Sequence, residues 1–180
     1  MEREKFYLGS EVKRALSVDG DGWLVLVTVG NILRSDDGVG PYIAARLKGR
    51  KNLYLLDGGI CLERFSLKKL APRKVQRLTI VDAVDFRGKP GEIRSFTREE
   101  VTEVCFTTHQ LPLTWLVHSL KRTRSFPVHF LGIQPAILSV GQELSPPVRR
   151  AAEKIIWFLK RKFPPQEAEE NLCKTEEAHL

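Results

Sequence analysis

Apolar positions along this chain fall into short continuous runs, each followed by a polar loop and then a segment whose apolar residues recur every three or four positions. Residues 24–29 form the first run, the loop GNILRSDDG follows, and Val39, Ile43 and Leu47 then lie at helical spacing. The order strand, loop, helix returns at residues 53–56, which end at Asp57-Gly58-Gly59 and lead into CLERFSLKKLAP, a helix closed by Pro72. Residues 78–84 are a third buried strand. After it, Gly88, Pro90 and Gly91 punctuate a turn before an edge strand at residues 92–96. Thr108 is placed to cap another helix, whose apolar face is Leu113, Leu116, Val117 and Leu120. A strand at residues 128–133 then runs into a loop holding Gln134 and Pro135. The last helix starts at Ser145 as N-cap with prolines at its first positions. It carries Val148, Ala152, Ile155, Ile156 and Leu159 on one face and stops at Pro164 and Pro165.

Strands that alternate with helices predict an α/β fold: a three-layer α/β/α sandwich around a twisted, mostly parallel sheet of about five strands, with one antiparallel edge strand. Such sheets keep their sites beyond the C-terminal ends of the strands. Attention therefore falls on residues 31–37, 57–59, 82–91 and 134 onwards. A chain of 180 residues with 42% hydrophobic residues fits one sizeable core. The expected organisation is an N-terminal extension over residues 1–22, a single domain over residues 23–163, and a flexible acidic tail over residues 164–180 that is too poor in apolar residues to order itself. No internal repeat is present.

Composition narrows the classes. The net charge of +7 is uneven, because the tail after Phe163 holds five glutamates and one lysine, leaving 28 basic against 17 acidic residues, a net +11, in the remainder. No nucleic-acid motif accompanies that charge, so an anionic protein partner or plain solubility explains it better than nucleic-acid binding. The charged N-terminus lacks an apolar signal region, and the longest apolar run, residues 23–29, is far below spanning length, so a cytoplasmic protein without membrane insertion is expected. Cys61, Cys105 and Cys173 form no CxxC pair and suit a reducing compartment.

The first loop sits where a dinucleotide-binding fold keeps its phosphate cradle, yet it carries two adjacent carboxylates that would repel phosphate. Asp36 and Asp37 precede a helix, so capping is the simplest role for one of them. The other is left to face the crevice. Asp82 ends an apolar strand over the same crevice, where it could bind a cation or anchor a loop by a hydrogen bond. His109 stands at the predicted start of a helix. It is either an ordinary surface histidine or an imidazole ligand that completes an open O,O,N site with the two carboxylates. His118 and His129 fall within a predicted helix and a strand, and His179 within the tail. No GxSxG elbow or catalytic cysteine signature is present.

Taken together, VTVGNILRSDDGVGP, LLDGG, LTIVDAV followed by GKPG, and THQLPL resemble the hydrogenase maturation endopeptidases of the hydrogenase-3 type, in the same order and at similar separations across residues 23–160. The resemblance implies a protease that removes the C-terminal extension from a [NiFe]-hydrogenase large-subunit precursor after nickel insertion. It implies that Asp37, Asp82 and His109 contact nickel already held by the precursor and serve the catalytic step. It also implies that Asp57, with Gly58 and Gly59, engages the substrate; the residues alone equally allow Asp57 to be a turn residue. Some relatives have glutamate where Asp37 stands, which changes ligand reach by a methylene. Monomeric action is expected. Two other readings share the same residues: a nickel-binding assembly factor that does not cut, and a nickel-independent peptidase on the same fold, similar to spore germination proteases.

Overall fold

The computed structural model of the chain describes residues 7–59, 74–96, 100, 126–141 and 143–166. Five strands form one sheet: β1 (Trp23–Val29), β2 (Leu53–Gly59), β3 (Val75–Ala83), β4 (Ile93–Phe96) and β5 (Val128–Ile133), in the order β2-β1-β3-β5-β4. All neighbours are parallel except β4, which runs antiparallel to β5 at the edge. The mixed, mostly parallel sheet expected from the sequence is therefore present. The strands begin or end within a few residues of the apolar runs, with one informative difference at β2. That strand continues through the DGG turn to Gly59, with Thr28 opposite Asp57 and an irregularity between Thr28 and Val29 that brings Gly59 opposite Val29.

Three helices are described: α1 (Ser10–Ala15), α2 (Val39–Ala45) and α3 (Pro146–Lys162). Ser145 is the N-cap position of α3, prolines occupy its first two places, and Val148, Ala152, Ile155, Ile156 and Leu159 are buried as their spacing predicts. These helices share one core with Leu24, Leu26, Val81, Leu131 and Ile133, residues that alternation along each strand directs to one face of the sheet. The opposite face carries Val25, Val27, Leu78, Ile80 and Phe130, which are equally buried in a second cluster. Burial on both faces is what a covered parallel sheet requires. The helices predicted around residues 61–72 and 108–120 fall outside the described residues.

The N-terminal stretch set apart in the sequence contributes directly to the core. Leu8, Val12, Ala15 and Leu16 are spaced for one helical face and are all buried. The Thr79 hydroxyl and the Arg77 guanidinium on β3 donate to the carbonyls of Ala15 and Arg14 at the end of α1. Among the described residues, no helix is long and apolar enough to cross a membrane.

Candidate active site

The strand order locates the crevice. From β1 the chain returns to the sheet on one side as β2 and then crosses to the other side of β1 as β3, so connections leave in opposite directions between β1 and β3. Loops splay apart at such a switch point, opening a cleft beyond the strand ends. The loop after β1 carries Asp36 and Asp37, and the last residues of β3 carry Asp82. The two elements come together there: a 3-10 turn, Ser35–Gly38, packs against β3 beside the end of β1. Asp37 is 2% and Asp82 3% exposed, among the least exposed carboxylates of the described chain. Asp82 stands one residue past the Thr28 to Val81 register pair and opposite Gly132 on β5, and one of its oxygens accepts the Ala83 N–H at 2.8 Å.

Glycines in the motif let these parts approach. A Cβ on Gly30, which has φ +141°, would lie 1.9 Å from the Asp37 carbonyl oxygen, and one on Gly40 would lie 2.0 Å from that of Val29. The first glycine lets the loop fold back on the strand end. The second seats α2 against it.

Asp36 departs from the expected role. Neither it nor Asp37 caps the helix that follows, because Gly38 holds the N-cap position of α2 and no side chain bonds there. Instead Asp36, completely buried, reaches the loop after β5. Its carboxylate accepts the N–H groups of Ala136 and Ile137 at 2.8 and 2.9 Å, the Ser145 N–H at 2.6 Å and the Ser145 hydroxyl at 2.9 Å. Four donors disperse a charge that burial alone would make costly. The same seam continues along the backbone: Ser35 N–H to the Gly141 carbonyl at 2.7 Å, Gly141 N–H to the Leu33 carbonyl at 2.9 Å, and the Arg34 guanidinium on the Leu138 carbonyl. Ser35 holds φ +45° within it.

Gln134 organises the neighbouring loop. Its buried amide oxygen accepts the Phe86 and Gly88 N–H groups at 2.9 and 3.0 Å, while its nitrogen donates to Asp85 at 3.0 Å. That bond, with the Arg87 N–H, holds the Asp85 carboxyl below its ordinary pKa. Sequence reading places Gln134 on a crevice loop but gives it no role, since its local signal is only a polar amide directly after an apolar strand.

Asp57 is exposed at the end of β2. Its Oδ1 accepts the Thr28 hydroxyl and the Gly59 N–H, both at 3.3 Å, so the turn role allowed by the sequence is realised. Alternation puts it with Leu53 and Leu55, on the sheet face opposite Asp82, which follows Leu78 and Ile80. Gly58 and Gly59 follow Asp57 as the last residues of β2. His109, Thr108 and the three cysteines lie outside the described residues, and within the described residues alone no cluster of three metal-ligating side chains forms. His129, half-buried on β5, has its pKa lowered by burial and by Arg77 and Arg14, against a smaller opposing effect of Glu11. A cleft of about 270 Å³ lined by Gly20, Gly22, Lys51 and Lys162 opens before the strands begin, at the opposite edge of the sheet, and holds no carboxylate.

Residues 39–160 match the family described as hydrogenase maturation protease. The chain belongs to the hydrogenase maturation protease family. It is 37% identical over 136 residues to the hydrogenase 3 maturation protease of Escherichia coli K12, covering 73% of this chain and 85% of that protein. It is 30% identical to a putative hydrogenase maturation protease of Methanocaldococcus jannaschii, with 74% and 83% covered. Among solved structures, the endopeptidase HycI from Escherichia coli superposes with a TM-score of 0.67 at 33% identity, covering 82% of this chain and 99% of that one. The HycI maturation protease from Thermococcus kodakarensis gives 0.66 at 29% identity, covering 84% and 99%. Family membership makes this chain a hydrolase, a protease of hydrogenase maturation, on the fold read from its strands and helices.

Proposed function

We propose that this protease is a cytoplasmic, monomeric endopeptidase that removes the C-terminal extension of a [NiFe]-hydrogenase large-subunit precursor once the precursor holds nickel. The observation that carries this reading is the pair Asp37 and Asp82, two carboxylates of 2% and 3% exposure on the two elements that flank the switch point. Carboxylate oxygens with an imidazole make a donor set suited to a borderline divalent cation, and His109 is the imidazole assigned to it. The nickel belongs to the substrate. Asp37, Asp82 and His109 bind it where it emerges from the precursor, which aligns the adjoining peptide bond. Asp37 or Asp82 takes a proton from water as its oxygen adds to the carbonyl carbon; the C–N bond then breaks and the amine leaves protonated. Asp57, Gly58 and Gly59 form the rim along which the extension lies.

The test is incubation of the protein with its nickel-loaded precursor and with the nickel-free form, followed by intact-mass measurement. Loss of one defined C-terminal peptide from the nickel-loaded form alone is expected. Equal cutting of both forms would make it a nickel-independent peptidase, and nickel-dependent binding with no mass loss an assembly factor.

A further inference from the structure

Five large apolar side chains are exposed among the described residues, and four of them stand on the two loops that Asp36 joins: Ile32 at 60% and Leu33 at 56% after β1, Ile137 at 49% and Val140 at 90% after β5. The fifth, Tyr7, lies in the N-terminal segment with the Lys13 ammonium over its ring. Scattered exposed aliphatics need no explanation, whereas a group gathered on one stitched surface does. These four are held outward. The Leu33 carbonyl accepts the Gly141 N–H, the Ile137 carbonyl accepts the Asp36 N–H, and Arg34 grips the Leu138 carbonyl, so the loops cannot turn their apolar side chains inward without breaking that seam.

We propose that Ile32, Leu33, Ile137 and Val140 form the surface on which an apolar segment of the large-subunit precursor docks, an inference that rests on the proteolytic reading above. Continuity favours this occupant. The loop that exposes Ile32 and Leu33 turns inward within four residues to the buried Asp37. A chain that delivers its metal to Asp37 and Asp82 therefore crosses this lip, while a second copy seated there would close the crevice to substrate.

The experiment compares the full-length protein with the Leu33→Ser/Val140→Ser double variant for binding to immobilised nickel-loaded precursor. Melting temperature and sedimentation are followed in parallel. Dissociation constants about tenfold higher or more are expected for the double variant, with no fall in melting temperature and with wild-type affinity retained by Leu33→Met/Val140→Ile. An unchanged dissociation constant overturns the proposal. So does a wild-type dimer that the double variant converts to monomer at unchanged affinity, since the occupant is then a second copy. The two readings separate cleanly: tight binding by wild type without cleavage removes the protease reading, while loss of that binding in the double variant still supports the docking surface.

Discussion

Asp21 at one edge of this sheet and three aspartates at the other live under opposite conditions. Where the chain enters the strands, Asp21 is solvent-exposed and pairs with Lys74 at 2.9 Å. Where it leaves them, Asp36, Asp37 and Asp82 are withdrawn from solvent altogether. Water screens the first pair, so either partner can be lost at little cost. Burial makes each of the others expensive unless donors or a cation meet it. Of the three, Asp36 is met by four donors from its own chain and is thereby a fastener; Asp37 and Asp82 are the pair to which the proposed function gives the chemistry. On that proposal, adjacent residues of the same type divide structure from function.

The sharpest way to break that division is to remove the carboxylates one at a time. Asp37→Ala and Asp82→Ala are each expected to lower processing of nickel-loaded precursor by about a thousandfold or more while leaving a folded protein; His109→Ala is expected to behave alike. Precursor mass spectra and circular dichroism check both halves, and full activity in all three would sink the assignment. Asp36→Ala should act mainly on the fold. It orphans the buried Ser145 N–H and hydroxyl and two part-buried N–H groups, so a loss on the order of 3 kcal/mol is expected, seen as a fall of roughly 6–12 °C in melting temperature for a chain of this size. A melting temperature unchanged from wild type would mean that the seam is not a fastener.

Smaller effects belong to the entry edge. His129 has its pKa lowered by burial and by Arg77 and Arg14, so the folded chain prefers the neutral ring. The unfolded chain then binds more protons as pH falls through the ordinary imidazole range of about 6.5. Stability should be complete above that range and decline below it, and His129→Gln should flatten the decline, as melting curves between about pH 7 and pH 5 would show. Identical slopes in the two proteins would exclude His129 as the source. Smallest of all, Lys74→Ala should leave the melting temperature where it is, and a clear drop would put weight on a pair that the structure leaves in water.

What the sequence could disclose divides along similar lines. Strands β1, β3 and β5 and helix α3 were legible because each carries its pattern locally: a run of apolar residues, or a cap, two prolines and an apolar stripe. Asp82 was legible as a strand-end carboxylate on a fold whose crevice lies there, and Asp37 became legible through the family resemblance. Asp36 was not, since its partners are 100 to 109 positions away and a capping role fitted its neighbours equally well. Helix α1 was passed over because its six residues carry too short a pattern to stand out, although its buried side chains belong to the same core as α3. The organising role of Gln134 was hidden for the same reason as that of Asp36: the bonds that define it run to a loop more than 45 residues earlier.

Ser35 holds a left-handed backbone at φ +45° between segments that are already hydrogen-bonded on both sides. That conformation is disfavoured for a residue with a side chain, and the loop keeps it because neighbouring bonds leave no alternative. In thermodynamic terms, the ordering entropy of this loop is spent at folding, so a partner docking there as proposed meets a shaped surface and loses little affinity to loop immobilisation. Encounter then depends on orientation more than on rearrangement, and variants that loosen the turn should slow capture before they alter the cut itself.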